Sequence, residues 1–164
     1  MNEEKLHAMR HSLAHIMAAA IQRLWPEAKF GVGPVVENGF YYDIDLGETK
    51  ISEQDFGRIE KTMRKIIAEN QEFIRSLKPI DEAITWAKDS HQPYKVELLN
   101  DLKRAGTTVA KDLDAAEMGT IAEGDGALDE VSFYTNGTFT DLCRGPHVEN
   151  TSEIGAFKLM RVAG

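Results

Sequence analysis

The sequence predicts an α+β domain in which long helices pack on an antiparallel sheet. Residues 3–25 and 52–70 have apolar side chains at the spacing of amphipathic helices. Short apolar stretches are paired around residues typical of tight turns, Asn38-Gly39 and Asn136-Gly137, so we expect two β-hairpins there. Helices and hairpins of this kind bury one face each, and packing those faces together forms an α+β domain.

The first helix is expected to run from about Glu3 to Trp25. Asn2 can cap it, the acidic side chains at its start suit the positive end of the helix dipole, and Pro26 stops it. At the helical repeat, one face is expected to form core: Leu6, Met9, Leu13, Ile16, Met17, Ala20 and Leu24.

The second helix is expected to start at Ser52 and Asp55, which resemble a capping box, and to end near Asn70. A short helix is predicted from Asp81, as its cap, to Lys88. Strands are predicted at Phe30–Val36, Phe40–Leu46, Gln71–Leu77, Val131–Tyr134, Thr138–Leu142 and Ala156–Val162.

Two segments have weaker patterns. Residues 93–102 suit either a helix or an extended segment, and residues 103–129 are expected to form a polar insertion or long loop. We expect a single domain over residues 1–164, because the length is that of one ordinary domain.

The composition restricts the classes of protein. With 19 basic and 27 acidic residues the net charge is −8, whereas dedicated nucleic-acid-binding domains are normally basic. No apolar run approaches the roughly 20 residues of a membrane helix, so no membrane contact is expected. The single cysteine excludes an internal disulfide and suits a reducing compartment, which predicts a cytoplasmic protein.

Two pairs of residues carry ligand chemistry. His11 and His15 are one helical turn apart and therefore lie on one helix face. Cys143 and His147 are also four residues apart, and the Gly-Pro between them favours a turn that aims both side chains at one point. Each pair has an ordinary alternative: solvated histidines on a helix surface, and a small buried cysteine. Together the four residues predict one shared cleft, because imidazole and thiolate are zinc ligands.

Three motifs occur in the order in which threonyl-tRNA synthetases carry them. They are Arg10-His11-Ser12-Leu13-Ala14-His15, then Gly31-Val32-Gly33-Pro34 running into Asn38-Gly39-Phe40-Tyr41-Tyr42-Asp43, then Asp141-Leu142-Cys143-Arg144-Gly145-Pro146-His147. Over essentially its whole length the chain resembles the second N-terminal domain of that family, the editing domain. That domain is similar to the editing domain of alanyl-tRNA synthetases, and Phe157-Lys158-Leu159-Met160 fits the family too.

The resemblance implies a deacylase that hydrolyses serine wrongly esterified to threonine tRNA. It assigns seven residues to the editing pocket: His11, His15, Lys95, Tyr134, Asp141, Cys143 and His147. It implies that no cofactor is required, or that zinc binds to His11, His15, Cys143 and His147. Lys95 is expected to stabilise the developing oxyanion, so replacing it is expected to lower activity without changing stability. His11 and Cys143 are expected to face a solvated cleft.

Other functions are compatible with parts of the pattern. A zinc-stabilised structural or tRNA-binding module without activity would retain the ligand set, but it would need neither Lys95 nor Asp141. Taken alone, Lys95 suits a surface lysine and Tyr134 a half-buried strand residue. A zinc peptidase is disfavoured, because no glutamate follows His11.

The resemblance stops at the last residues of the chain. No stretch resembles the aminoacylation core, and the ubiquitin-like segment expected before Met1 is absent, so this chain is not expected to make threonyl-tRNA. The expected partners are threonine tRNA charged with serine and, for an excised domain, the remainder of the synthetase.

Overall fold

The computed structural model describes residues 2–105 and 130–163 and has the predicted α+β architecture. Its helices are α1 Glu3–Leu24, α2 Phe56–Ala68, α3 Ile80–Asp89 and α4 Pro93–Ala105. Its strands are β1 Lys29–Phe30, β2 Val35–Val36, β3 Gly39–Phe40, β4 Ile44–Asp45, β5 Ile74–Pro79, β6 Glu130–Asn136 and β7 Phe139–Leu142. Within the described ranges, no helix combines the length and apolar character needed to cross a membrane.

Helix α1 packs against α2 and the first hairpin. The Asn2 side chain accepts a hydrogen bond from the backbone N–H of Lys5, which confirms the predicted cap. On the predicted core face, Leu13, Ile16 and Ala20 are buried and the other four residues are partly buried. The face with the two histidines is buried as well, between His11 and Ile21. Small alanines on that second face allow other elements to approach closely, and these elements form the site described below.

The first hairpin is confirmed but interrupted. β1 pairs with β4 and β2 with β3, all antiparallel, in place of two continuous strands. Gly31 N donates to Asp43 O at 2.8 Å between the two short ladders. Pro34 has no N–H to donate, which prevents regular pairing at this point.

The second sheet has the strand order β5-β6-β7 and is antiparallel throughout. Tyr134 on β6 lies directly opposite Asp141 on β7, so these two side chains share one face of the sheet. On that face Phe139 packs with the core of α1 and α2. The opposite face packs on α3 and α4 through Val131, Phe133 and Leu142. The sheet is therefore covered by helices on both faces.

Several predicted boundaries need correction. Asp81 lies inside the first turn of α3 without capping it, because the helix begins at Ile80 after Pro79. The ambiguous segment is helical and α4 continues to Ala105, so residues 103–105 of the predicted insertion belong to a helix. The rest of that predicted insertion, residues 106–129, lies outside the described residues.

The strand predicted at Ala156–Val162 is wrong. Residues 154–163 have no regular secondary structure. The segment is instead held by side chains: Leu159 is buried in the core with α2, and its backbone N–H donates to the Glu60 side chain at 3.4 Å. An alternating apolar pattern indicates that every second residue is buried. Here an irregular segment buries these side chains against α2, and it does not pair with a strand.

Candidate active site

All seven residues assigned to the pocket from the sequence lie in one cluster. His11 and His15 project from α1, Lys95 from the first turn of α4, and Tyr134 and Asp141 from the facing strands β6 and β7. Cys143 and His147 follow directly after β7, in a segment that passes over α1. Their positions confirm the predicted convergence, and their catalytic roles stay predictions.

The four predicted metal ligands form the first half of the cluster. Cys143 Sγ lies 3.2 Å from His11 Nε2 and 3.2 Å from His147 Nε2. The His15 ring centroid lies 4.4 Å from that of His147. One nitrogen of each histidine and the sulfur all lie within 4.8 Å of one another.

A buried ion pair forms the second half. Lys95 Nζ lies 2.9 Å from Asp141 Oδ1 and donates to the backbone carbonyl of Gly31 at 2.5 Å. The Tyr42 hydroxyl donates to Asp141 Oδ2. His15 Nε2 lies 3.9 Å from the same carboxylate oxygen, so Asp141 joins the two halves of the cluster. A cavity of about 160 Å³ borders Lys95 and Asp141.

The start of α4 is anchored so that Lys95 reaches the site. The Gln92 side chain accepts a hydrogen bond from the backbone N–H of Phe30 at 2.8 Å and donates to the carbonyl of Ala28 at 3.1 Å. These two bonds join the turn before α4 to β1. Because Gly31 directly follows β1, the carbonyl that binds Lys95 is held by the same contact.

Burial determines the protonation state of the histidines. Loss of solvation lowers the pKa of His11 to about 3, with a further contribution from the neighbouring His15. It also lowers the pKa of His15 to about 4, although Asp141 opposes this shift. Burial likewise holds the pKa of His147 well below its usual value. The three imidazoles are therefore neutral at pH 7 and can accept a proton or bind a metal.

The other ionisable groups are shifted in ways that follow from the same geometry. Burial alone would raise the pKa of Asp141, but Lys95 and His15, with the Tyr42 hydrogen bond, lower it overall, so this carboxylate is ionised. Burial raises the pKa of Cys143, which is a neutral thiol in the metal-free cluster. It also raises the pKa of Tyr42, which stays protonated as a donor.

His147 is enclosed by aromatic rings. Phe73 stacks on one side with ring centroids 4.9 Å apart, and His11 stacks on the other at 4.5 Å. The Tyr134 ring meets it edge-on at 4.5 Å. Gly145 has φ +89°, and a Cβ there would lie 2.7 Å from the Tyr134 hydroxyl, so only glycine permits this packing.

One premise taken from the sequence is wrong. The site was expected to be a solvated cleft, but only 6% of His11 and 1% of Cys143 are exposed. The aromatic packing on His147 and the segment that crosses α1 exclude water from both residues.

Three residues of the site escaped the sequence analysis: Ser12, Tyr42 and Phe73. Tyr42 lies in the second motif of the resemblance, and only alternation along the hairpin distinguishes it from the exposed Tyr41. Ser12 lies between the two histidines of the helix motif, but a serine inside a helix carries no sequence signal for a contact 135 residues away. Phe73 is a core residue by type, and nothing in its neighbourhood indicates the stacking.

The donor set fits a zinc ion. Three neutral imidazoles and one cysteine are suitable ligands, and the 3.2 Å contacts approach the separation of about 3.3–3.6 Å between ligands of a tetrahedral zinc. The widest pair, within 4.8 Å, must contract. His15 Nδ1 is buried without a hydrogen-bond partner in the described part of the chain.

Comparison with known proteins agrees with this site. Residues 131–164, which include Tyr134, Asp141, Cys143 and His147, match the family model described as the threonyl and alanyl tRNA synthetase second additional domain. A threonine–tRNA ligase from Acetivibrio thermocellus is 43% identical over 157 residues, which is 96% of this chain. Over nearly its whole length the chain is similar to this ligase, and its last residues match this family of synthetase domains. A threonine–tRNA ligase from Staphylococcus epidermidis is 44% identical over 99% of the chain, and one from a Nocardioides species is 45% identical over 94%.

The second additional domain is a part of larger enzymes. This chain spans only 21–23% of the length of these three relatives. The similarity over 94–99% of the chain also covers α1 and its two histidines, which lie outside the matched range of the family model. The whole site described above therefore lies in the region that aligns with threonine–tRNA ligases.

Proposed function

We propose that this domain hydrolyses the ester that joins serine to threonine tRNA. One observation carries the proposal: a buried Lys95–Asp141 pair lies against a cluster of neutral histidines and a cysteine, in a domain that threonine–tRNA ligases share. Proton-accepting imidazoles beside a fixed positive charge are the parts that ester hydrolysis requires.

The chemical need for such a reaction is clear. Serine lacks one methyl group of threonine, and one missing methyl in a binding pocket is worth only about 1–3 kcal/mol. A synthetic site that accepts threonine therefore cannot reject serine well enough. A second, smaller site can admit the seryl ester and exclude the threonyl ester by steric clash.

The residues divide between proton transfer and charge stabilisation. A neutral histidine of the cluster accepts a proton from the attacking water. Lys95 supplies positive charge to the oxyanion that forms on the ester carbonyl. Asp141 holds the Lys95 amine in place, and Tyr42 holds Asp141. A proton then returns to the ribose oxygen as the ester bond breaks.

Zinc is proposed as an optional occupant of the site. His11, His15, Cys143 and His147 would hold it, and the cysteine would bind as the thiolate. A bound zinc would supply Lewis-acid chemistry if one coordination position stayed open for water. The metal-free cluster is stabilised by its own hydrogen bonds and ring contacts, so we propose that folding does not require the metal.

The tRNA and the remainder of a synthetase are the proposed partners. Because phosphate contacts supply most non-specific affinity for nucleic acid, a domain of net charge −8 binds tRNA weakly on its own. The rest of a longer chain would then supply most of the affinity for tRNA. We do not expect aminoacylation by this domain, because no stretch of its sequence resembles the ATP-binding motifs of an aminoacylation core.

The test compares deacylation of seryl- and threonyl-esters on threonine tRNA. We expect hydrolysis of the seryl ester and sparing of the threonyl ester, with a strong loss of rate in His11→Ala and Cys143→Ala. His91→Asn is the matched control, because His91 is exposed at φ +55° and asparagine tolerates this left-handed conformation.

Two outcomes would contradict the proposal. Equal hydrolysis of both esters would exclude the size argument. Absence of hydrolysis at high substrate, with a normally folded protein, would favour a zinc-stabilised binding module, which the convergence of four ligands also allows.

A further inference from the structure

We propose that Ser12 is a positioning residue that fixes His147 in the tautomer with its hydrogen on Nε2. The Ser12 hydroxyl is fully buried on α1, between the two histidines of that helix. Its oxygen lies 3.0 Å from His147 Nδ1 and accepts a hydrogen bond from the backbone N–H of Val148 at 3.0 Å. It therefore holds both the ring of His147 and the backbone beside it.

The direction of the bond to His147 follows from a count of hydrogens. A serine hydroxyl has one hydrogen to donate. In the described residues 2–105 and 130–163, the Ser12 oxygen has two hydrogen-bond partners, His147 Nδ1 and the backbone N–H of Val148. The N–H of Val148 is a donor, so the acceptor for the Ser12 hydrogen is His147 Nδ1. Leaving a buried hydroxyl hydrogen without an acceptor is destabilising, because the lost hydrogen bond to water is not replaced. The hydrogen therefore goes to Nδ1, which must be the unprotonated nitrogen of the ring.

The other end of the ring then faces sulfur with a hydrogen. His147 Nε2 lies 3.2 Å from Cys143 Sγ, so it donates to the sulfur. The Cys143 thiol in turn donates to His11 Nε2, also at 3.2 Å. Ser12 thereby orders a chain of hydrogen bonds that ends on His11. In this chain His147 Nδ1 accepts from Ser12 and His11 Nε2 accepts from Cys143. His11 Nε2 therefore becomes free to accept another proton only when the thiol turns away from it.

The same contact makes zinc binding conditional. A metal on His147 Nε2 requires the hydrogen on Nδ1, which would then donate to Ser12 Oγ. The oxygen would accept two hydrogen bonds, and its own hydrogen would lose its acceptor. Ser12 therefore favours the metal-free arrangement of His147.

The test reads the tautomer directly. Protein labelled with ¹⁵N-histidine and treated with chelator is examined by long-range ¹H–¹⁵N NMR, and the His147 signals are assigned by their loss in His147→Gln. We expect wild type to carry the hydrogen on Nε2. We expect Ser12→Ala to give a mixture of tautomers and Ser12→Thr, which keeps the hydroxyl, to restore the wild-type pattern.

Ser132→Ala is the matched control, because Ser132 is equally buried and its hydroxyl donates to the backbone carbonyl of Cys143. It should leave the His147 tautomer unchanged. A wild-type ring with its hydrogen on Nδ1, or the wild-type tautomer retained in Ser12→Ala, would overturn the inference. If Ser12→Thr does not fold, Ser12→Cys serves as the rescue variant, because its thiol also has a hydrogen to donate.

The catalytic consequence rests on the proposed deacylation, whereas the tautomer is measured without substrate. If His147 acts in the reaction, Ser12→Ala lowers kcat by about 10- to 100-fold with little change in KM. If the His147 tautomer changes in Ser12→Ala but wild type shows no deacylase activity, the proposed function is disproved and the inference about Ser12 stands. If wild type is an active deacylase but the tautomer is the same in Ser12→Ala, the inference about Ser12 is disproved and the proposed function stands.

Discussion

Lys95 Nζ lies 2.9 Å from Asp141 Oδ1, and the side chains of both residues are only 4% exposed. The pair connects α4 to β7 through the interior of the protein. Its charges are not screened by water, so each depends on the other and on the Gly31 carbonyl and the Tyr42 hydroxyl for compensation.

Loss of one member of this pair is expected to destabilise the fold. Lys95→Met leaves Asp141 charged and buried, so we expect the free energy of unfolding to fall by about 3–5 kcal/mol. Urea unfolding measures the change. The double variant Lys95→Met with Asp141→Leu removes both charges and is expected to recover most of the stability, but not the deacylase activity.

The matched control is Lys103→Met. Lys103 pairs with Asp81 at 2.6 Å, but the two side chains are 51% and 74% exposed. An exposed pair contributes about 0–1 kcal/mol, so this variant should be nearly as stable as wild type. Similar losses in both single variants would contradict the role assigned to burial.

Acid is expected to weaken the protein before its carboxylates titrate. The pKa values of His11 and His15 are lowered to about 3 and about 4 in the fold, against about 6.5 when unfolded. Between these limits the unfolded chain binds protons that the folded chain does not, so stability is complete above about pH 6.5 and decreases as pH falls. Asp141, whose pKa is lowered, loses its contribution only at still lower pH.

Urea unfolding between pH 7 and pH 4.5 checks this dependence. Each buried neutral histidine contributes a slope of up to about 1.4 kcal/mol per pH unit. His11→Gln should have a shallower slope than wild type. Stability that is constant from pH 7 to pH 5 would show that these histidines are protonated without cost in the fold.

Zinc is expected to stabilise the protein without being required for folding. Melting curves after chelation should show a cooperative transition, and added zinc should raise Tm because it binds the folded ligand set. Cys143→Ala, which lacks the sulfur, should lose most of this rise. Loss of the cooperative transition on chelation alone would instead show that the metal holds the fold together.

Glycine at position 145 is expected to be required for the site. Gly145→Ala places a Cβ 2.7 Å from the Tyr134 hydroxyl at φ +89°, so we expect a loss of about 1–3 kcal/mol and a displaced Tyr134. Gly155→Ala is the control, because a Cβ at Gly155 meets nothing within 4 Å. Thermal melts compare the two variants, and equal losses of stability would disprove the steric argument.

The convergence of the four predicted metal ligands could be expected from the sequence. Helical periodicity places His11 and His15 on one face, and the Gly-Pro between Cys143 and His147 predicts a turn. The main helices and hairpins follow from caps and turn residues in the same way. These signals are local, and they depend on chain geometry more than on the packing of the whole domain.

The burial of the site could not be predicted in this way. Lys95 shows no local sign of lying in the interior, because its burial depends on Asp141 46 positions later and on the Gly31 carbonyl. Replacing Lys95 was expected to leave stability unchanged on the premise that it acts only on the reacting ester. That premise is wrong, because Lys95 is buried in an ion pair with Asp141. Ser12 and Phe73 escaped for a similar reason, since each acts on His147 from a distant part of the chain.

The contact between Ser12 and His147 joins residues 135 positions apart in sequence. Contacts of such long range form late, because a large loop must close before they contribute any free energy. During synthesis α1 leaves the ribosome long before residues 143–147, and until then its buried histidines have no partner. The cluster can therefore assemble only after the polypeptide has been made past residue 148, and a chain interrupted earlier lacks the residues that complete it.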